Sequence, residues 1–183
     1  PLFEGVCAWF SFCEVGFMIV RRFIAWSRMV PPGQRAEGVS ALALGYLYSG
    51  MAPEIRREAE AALTAVLEDS SPLVRRALAE AFASAVEAPH HCVLALAHDQ
   101  PEIAALVLER SPVLGDQDLI DCAAAGQVSA QIAIARRPKL SSLVSAALAE
   151  TACVEALKAL AENAGAEVPE FSLRRMLDRF GAD

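Results

Sequence analysis

Residues 101–112 read PEIAALVLERSP, residues 127–138 read QVSAQIAIARRP and residues 153–164 read CVEALKALAENA, each copy 26 positions after the last. Apolar and small side chains recur in them at the spacing of one helix face. After each copy comes a turn and then a second helical segment with aliphatic residues at its centre: Leu119-Ile120, Leu143-Val144, then Leu173 with Met176-Leu177. A weaker correspondence of Glu80 with Glu109, 29 positions apart, carries the pattern backwards. One such helix pair cannot bury its apolar face alone, whereas a stack of pairs can, so the repeat predicts an all-α solenoid. A closed helical bundle would accept the same helices but would not need a repeat.

Working outward from the repeat, the chain divides into short helices with turns of two to four residues between them. The stripe Ile55, Ala59, Ala62, Leu63, Val66, Leu67 marks one, with Pro53 suited to its first position, where a missing N–H costs nothing. Further starts are set by Ser71-Pro72, Pro89 and Pro101, with Asp116 as the expected N-cap of the helix carrying Leu119 and Ile120. The segments expected are 34–48, 53–68, 72–86, 89–98, 101–110, 116–125, 128–136, 141–150, 153–163 and 169–180, and nothing alternates with the period of a strand. Leu63, Val66, Leu67, Leu78, Phe82, Leu94, Leu96, Leu106, Leu119, Ile120, Ile132, Ile134, Leu143, Leu148, Leu157, Leu160, Leu173, Met176 and Leu177 form the expected core. Composition agrees: 36 Ala and 21 Leu in 183 residues favour helix over sheet.

The first thirty residues are of another material. Phe3, Trp9, Phe10, Phe12, Phe17, Phe23 and Trp26 lie there, seven of the twelve aromatic residues, and Pro31-Pro32-Gly33 punctuates the end. Glu4 and Glu14 interrupt the apolar stretch and Arg21-Arg22 follow it, which disfavours a secretory signal. Residues 1–17 read as a leader foreign to the fold, and residues 18–30 as a first helix packed on the body formed by residues 31–183. An exposed aromatic helix in residues 1–30 is the one route by which this chain would meet a membrane. The longest uncharged apolar run, residues 38–53, is too short to span one. Five cysteines, Cys7, Cys13, Cys92, Cys122 and Cys153, are an odd number at irregular spacing, read as reduced thiols of a cytoplasmic protein.

Asp69-Ser70-Ser71-Pro72-Leu73-Val74-Arg75-Arg76-Ala77-Leu78-Ala79 resembles the signature of a HEAT repeat, and Asp99-Gln100-Pro101-Glu102-Ile103 resembles a partial second copy without the arginine. The resemblance implies an Asp-to-Arg ladder between repeats, interrupted where the second arginine is missing. Over residues 34–180 the order of features is similar to a bacterial family of unknown function described as HEAT-like and found mainly in alphaproteobacteria. The runs that carry this are Val74-Arg75-Arg76-Ala77-Leu78-Ala79-Glu80, LERSPVLGDQDLI over residues 108–120, and Ile134-Ala135-Arg136-Arg137-Pro138. It implies a right-handed superhelix of about five helix pairs, and it brings no catalytic residues with it.

The residues offer little equipment for chemistry. His91 and His98, seven apart and on one helix face, are the candidate metal ligands, but no third ligand falls at a helical spacing. His90 points elsewhere, Cys92 and Asp99 lie beside these histidines in the sequence, and Cys122 and Cys153, set among Ala, Ile and Val, read as small buried residues. Asp116, Asp118 and Asp121 suit the first turn of a helix better than a carboxylate site. Neither a phosphate-cradling glycine loop nor a nucleophile elbow occurs, and no cofactor is expected. Five arginine pairs hold ten of the sixteen basic residues, but they fall at different positions of their helices and so predict no basic ridge. Residues 31–183 carry 13 basic and 21 acidic residues, which disfavours nucleic acid and a DNA-glycosylase-like solenoid, the alternative reading. The function expected is a non-enzymatic scaffold that holds another protein or peptide, with Arg56, Arg75, Arg76, Arg136 and Arg137 as candidate contact residues.

Overall fold

The computed structural model describes residues 19–181, all helix and turn. The helices are α1 (Ile19–Ser27), α2 (Pro32–Tyr48), α3 (Pro53–Val66), α4 (Pro72–Phe82), α5 (His90–Ala97), α6 (Pro101–Arg110), α7 (Asp116–Ala124), α8 (Val128–Ala135), α9 (Ser142–Thr151), α10 (Val154–Glu162) and α11 (Glu170–Phe180). Proline fixes four of the starts, because α2, α3, α4 and α6 each carry it at the first position. Expectations about residues 1–17, with Trp9, Phe12, Cys7 and Cys13, lie outside the described residues.

Helices pack on the helix two places along the chain as well as on their chain neighbours. One layer runs α2, α4, α6, α8, α10, and the other contains α1 on α3 and α7, α9, α11 in succession. Between them lies one continuous core whose largest fully buried members include Phe82, Leu63, Leu78, Leu96, Leu108, Ile134, Leu148 and Leu160. Small residues let the layers close on each other: Ala59, Ala62, Ala79, Ala123, Ala135 and Ala156 are fully buried. A parallel bridge at Leu140 and Ala166 joins the turns before α9 and α11, with Leu140 N–H on the Gly165 carbonyl (3.1 Å) and Glu167 N–H on the Leu140 carbonyl (2.9 Å). Gly165 is required there, since a Cβ would run into the Pro138 carbonyl.

Several expectations need correction. The Pro-Pro-Gly run begins a helix: Pro31 is the N-cap and Pro32 the first residue of α2. The helix expected over 72–86 ends at Phe82, and the following turn buries Ala85, Ala88 and Pro89. Gly115, not Asp116, caps α7, because the Asp118 carboxylate reaches back to the Gly115 N–H (2.9 Å). Leu143, Leu173 and Leu177 are exposed, at 65%, 46% and 68%. Leu143 lies on the outer side of α9. In α11 the buried and half-buried Ser172, Met176 and Arg179 mark the packed side, and no described element covers the flank bearing Leu173 and Leu177.

Phe23 of α1 is buried and Trp26 lies half-buried over α2, on Gly38, where a Cβ would collide with the indole. These two aromatic side chains are therefore used in packing α1 onto the body. Among the described residues no helix is long and apolar enough to cross a membrane.

Candidate interaction surface

The arginines fall into two kinds, and the division defines what the surface offers. Arg35, at the fourth position of α2, makes paired hydrogen bonds to the Asp69 carboxylate (2.9 and 3.0 Å) and donates to the Val30 carbonyl (3.0 Å). Arg75, at the fourth position of α4, repeats this with Asp99 (2.6 and 2.9 Å) and the Asp69 carbonyl (2.6 Å). Each aspartate also accepts a loop N–H, from Ser71 (2.8 Å) and Gln100 (2.6 Å) respectively. Planar paired bonds of this sort are the strong form of an Arg–carboxylate contact. The Arg75 bond holds the Asp99 carboxyl below the usual carboxylate range, and Asp99 in turn raises Arg75. The ladder expected to break thus has two complete rungs, joining the starts of α2, α4 and α6. Its first arginine, Arg35, escaped the sequence reading, although Pro32-x-x-Arg35 has the same spacing as Pro72-x-x-Arg75.

Beyond α6 the links move to the other ends of the helices. Arg137, just past α8, donates to the carbonyls of Leu108 (2.5 Å) and Ser111 (2.7 Å) at the end of α6. Asn163, just past α10, donates to the carbonyls of Ala135 (2.8 Å) and Arg137 (2.7 Å) at the end of α8. Ser111, Arg137 and Asn163 are 26 apart, the interval of the sequence repeat. In the second layer Arg179 serves the carbonyls of Ala149 (2.6 Å) and Ala152 (2.9 Å) at the end of α9. Helix ends leave carbonyls without intrahelical partners, and a cation there also suits the helix dipole. Burial pushes the Arg137 guanidinium down, and the Asp116 charge partly opposes this.

Of the five arginines expected at a contact surface, Arg75 and Arg137 are therefore engaged inside the fold. Arg56 stacks on the Tyr46 ring (4.2 Å), donates to the Tyr46 carbonyl and reaches Glu87 (3.4 Å). Arg76 is exposed on α4 with Glu80 one turn on (2.8 Å), and Arg136 is exposed at the end of α8. Arg136 borders an open groove of about 370 Å³ with Glu155, Lys158 and Glu162 of α10. Exposed apolar side chains share this layer: Leu73 and Val128 occupy the start of α4 and α8, and Leu44 the end of α2.

The histidines separate as well. His91 turns to α3, with Nε2 2.8 Å from the Thr64 hydroxyl and Nδ1 3.8 Å from a Glu60 carboxylate oxygen. His90 turns to α7 and meets Asp118 (2.9 Å), while His98, the C-cap of α5, puts Nδ1 on the Leu94 carbonyl (2.9 Å) and Nε2 3.9 Å from the Cys122 sulfur. No group of three or more His, Cys, Asp or Glu positioned to hold a metal ion occurs among the described residues. Asp116, Asp118 and Asp121 are each used locally: Asp116 accepts from Ser141 (2.8 Å), Asp121 from Gln117 (2.8 Å), and the His90 bond lowers the Asp118 carboxyl. Cys92 and Cys122 are buried free thiols raised by that burial, and the half-exposed Cys153 is free too. Buried, protonated thiols are poor nucleophiles.

Residues 103–183 match a family described as an uncharacterised protein conserved in bacteria, DUF2336. The similarity begins in α6 and runs through α11, the stretch held by Arg137, Asn163 and Arg179. It places these residues alongside a bacterial family of unknown function. No curated protein and no solved structure matches the chain.

Proposed function

We propose that the chain is a HEAT-like solenoid, a right-handed stack of helix pairs, and that it works as a non-enzymatic scaffold holding another protein or an extended peptide. The observation that carries this reading is the order of packing, in which every described helix except α5 lies on one two places along, with links that recur at the 26-residue interval of the sequence. Stacking of that kind produces a long surface in place of a deep polar pocket, and long surfaces suit macromolecular partners.

Within the proposed surface Leu73 and Val128 supply apolar contact, while Arg76 and Arg136 supply accessible charge, an arrangement suited to a peptide with apolar and acidic side chains. The free thiols among the described cysteines support a cytoplasmic setting. Nucleic acid binding receives less support, because Arg75 and Arg137 give their guanidinium groups to the fold itself.

The test is affinity capture from bacterial lysate with the wild-type chain, L73D/V128D and R76E/R136E, with circular dichroism to confirm that all three fold. A protein retained by the wild type and lost by both variants supports the scaffold reading. Equal retention by all three, or retention of nucleic acid alone, overturns it.

A further inference from the structure

A pocket of about 260 Å³ lies between the ends of α1 and α3 and the starts of α2 and α4. Its floor is apolar: Phe23, Val39, Val66 and Val74 line it, and none of them is more than 4% exposed. The arginine rungs give a register that explains why the space is open. Leu67, the C-cap of α3, stands eight residues before Arg75 and packs half-buried on the core. Ser27, the last residue of α1, stands eight residues before Arg35 and lines the pocket. Counted from the rung, α1 therefore lacks the isobutyl group that α3 has. A cavity of roughly 150 Å³ is large enough to hold benzene, so this one has room for an apolar body of that size together with a small polar head.

The polar groups around the pocket differ in what they have left to offer a ligand. Arg35 and Asp69 satisfy each other through their paired bonds and form a wall. The Ser27 hydroxyl donates to the Ile24 carbonyl (2.9 Å), so its oxygen remains as an acceptor only. Arg28 and Glu68 complete the lining, and neither side chain has a hydrogen bond or ion pair among the described residues, with each other or with any other group. A guanidinium can only donate and a carboxylate can only accept. Two opposite charges that border one apolar pocket without closing on each other match a ligand carrying a carboxylate, an ammonium and an apolar side chain on one small frame. Small-molecule sites have this build, an apolar lining with a few polar groups that fix orientation.

We propose that this pocket binds a free apolar α-amino acid of the size of leucine, isoleucine or methionine. Its carboxylate meets Arg28, its ammonium meets Glu68 and the Ser27 oxygen, and its side chain lies on the floor of Phe23, Val39, Val66 and Val74, in the space that Ser27 leaves open. A ligand with only a carboxylate would face Glu68 unpaired, and one with only an ammonium would leave Arg28 without a partner, as would the first residue of a peptide. The site is built from α1 to α4, ahead of residue 103 where the family similarity begins, and it does not depend on the scaffold surface proposed above.

The test is isothermal titration calorimetry of the whole chain with leucine, isoleucine and methionine, each at millimolar concentration. Glycine, isocaproate and isopentylamine serve as probes that lack the side chain, the ammonium and the carboxylate. The wild type is expected to bind at least one of the three amino acids saturably at a single site, and each truncated probe about tenfold more weakly or not at all, since each lost charge removes a charge-assisted hydrogen bond. Arg28→Ala and Glu68→Gln should each weaken the amino acid by about the same factor, and both positions lie on the surface, so the fold is kept. Ser27→Leu supplies the missing isobutyl group: it should abolish binding while its urea midpoint stays at or above that of the wild type. No binding of any of the three amino acids, a truncated probe that binds as tightly as they do, unchanged affinity in Arg28→Ala and Glu68→Gln, or a Ser27→Leu chain that still binds overturns the proposal.

Discussion

Arg75 shows how much a single side chain carries in this fold. Its guanidinium and the Asp99 carboxylate are 14% and 12% exposed, so loss of one partner strands the other in a largely dry site. Arg75→Ala is expected to lower stability by roughly 3 kcal/mol in urea unfolding, and Arg75→Ala with Asp99→Ala by clearly less, since the stranded carboxylate is then gone. The pH dependence follows from the lowered Asp99 carboxyl: its contribution is present above the ordinary aspartate range and is lost as pH falls through the folded-state value. Asp99→Asn should therefore flatten the acid limb of a stability profile and leave the neutral region parallel to the wild type. The sequence made this rung half legible. Asp99 stood out as half of a motif, but its partner lies 24 residues away, and spacing within one helix cannot reveal which loop a side chain will reach. Arg137 and Asn163 were less legible still, because their partners are backbone carbonyls, which every residue has.

At the scale of helices, the starts were readable and the neighbours were not. Proline at the first position announces itself in the sequence, whereas an apolar stripe tells which residues share a face and says nothing about what lies on it. Hence Leu173 and Leu177 share a flank as expected, yet no described element covers them. The packed side of α11 shows the converse. Ser172 there and Ser145 of α9 are buried with hydroxyls that have no hydrogen-bond partner. They act as small spacers that let helices approach, and a methyl group would do this without an unpaired polar atom. Ser172→Ala and Ser145→Ala should each be neutral or stabilising by up to about 1 kcal/mol, read from the urea midpoint at constant slope. Gly165→Ala should do the opposite, at a cost of about 1–3 kcal/mol, because the new methyl has to displace the Pro138 backbone at the bridge before α11.

For the molecule as a whole, the packing order distinguishes an array from a closed bundle by how damage spreads. In a stack each helix pair depends on its neighbours, so stability is close to a sum of local and nearest-neighbour contributions. A bundle with one shared core loses cohesion everywhere at once. The two sets of links meet at α6, which makes the comparison possible within one chain: Arg75 fastens α4 to the turn before α6, while Arg137 fastens α8 to the end of α6. Native-state hydrogen exchange on Arg75→Ala should show faster exchange in α2, α4 and α6, with α9 to α11 near their wild-type protection. Arg137→Ala should show the mirror image, with α6, α8 and α10 loosened and α1 to α3 unaffected. Since both variants retain the core, neither should lose helical circular dichroism at neutral pH. Uniform loss of protection in both would mean that the helices share one cooperative core, and the solenoid reading, together with the extended contact surface built on it, would have to be given up.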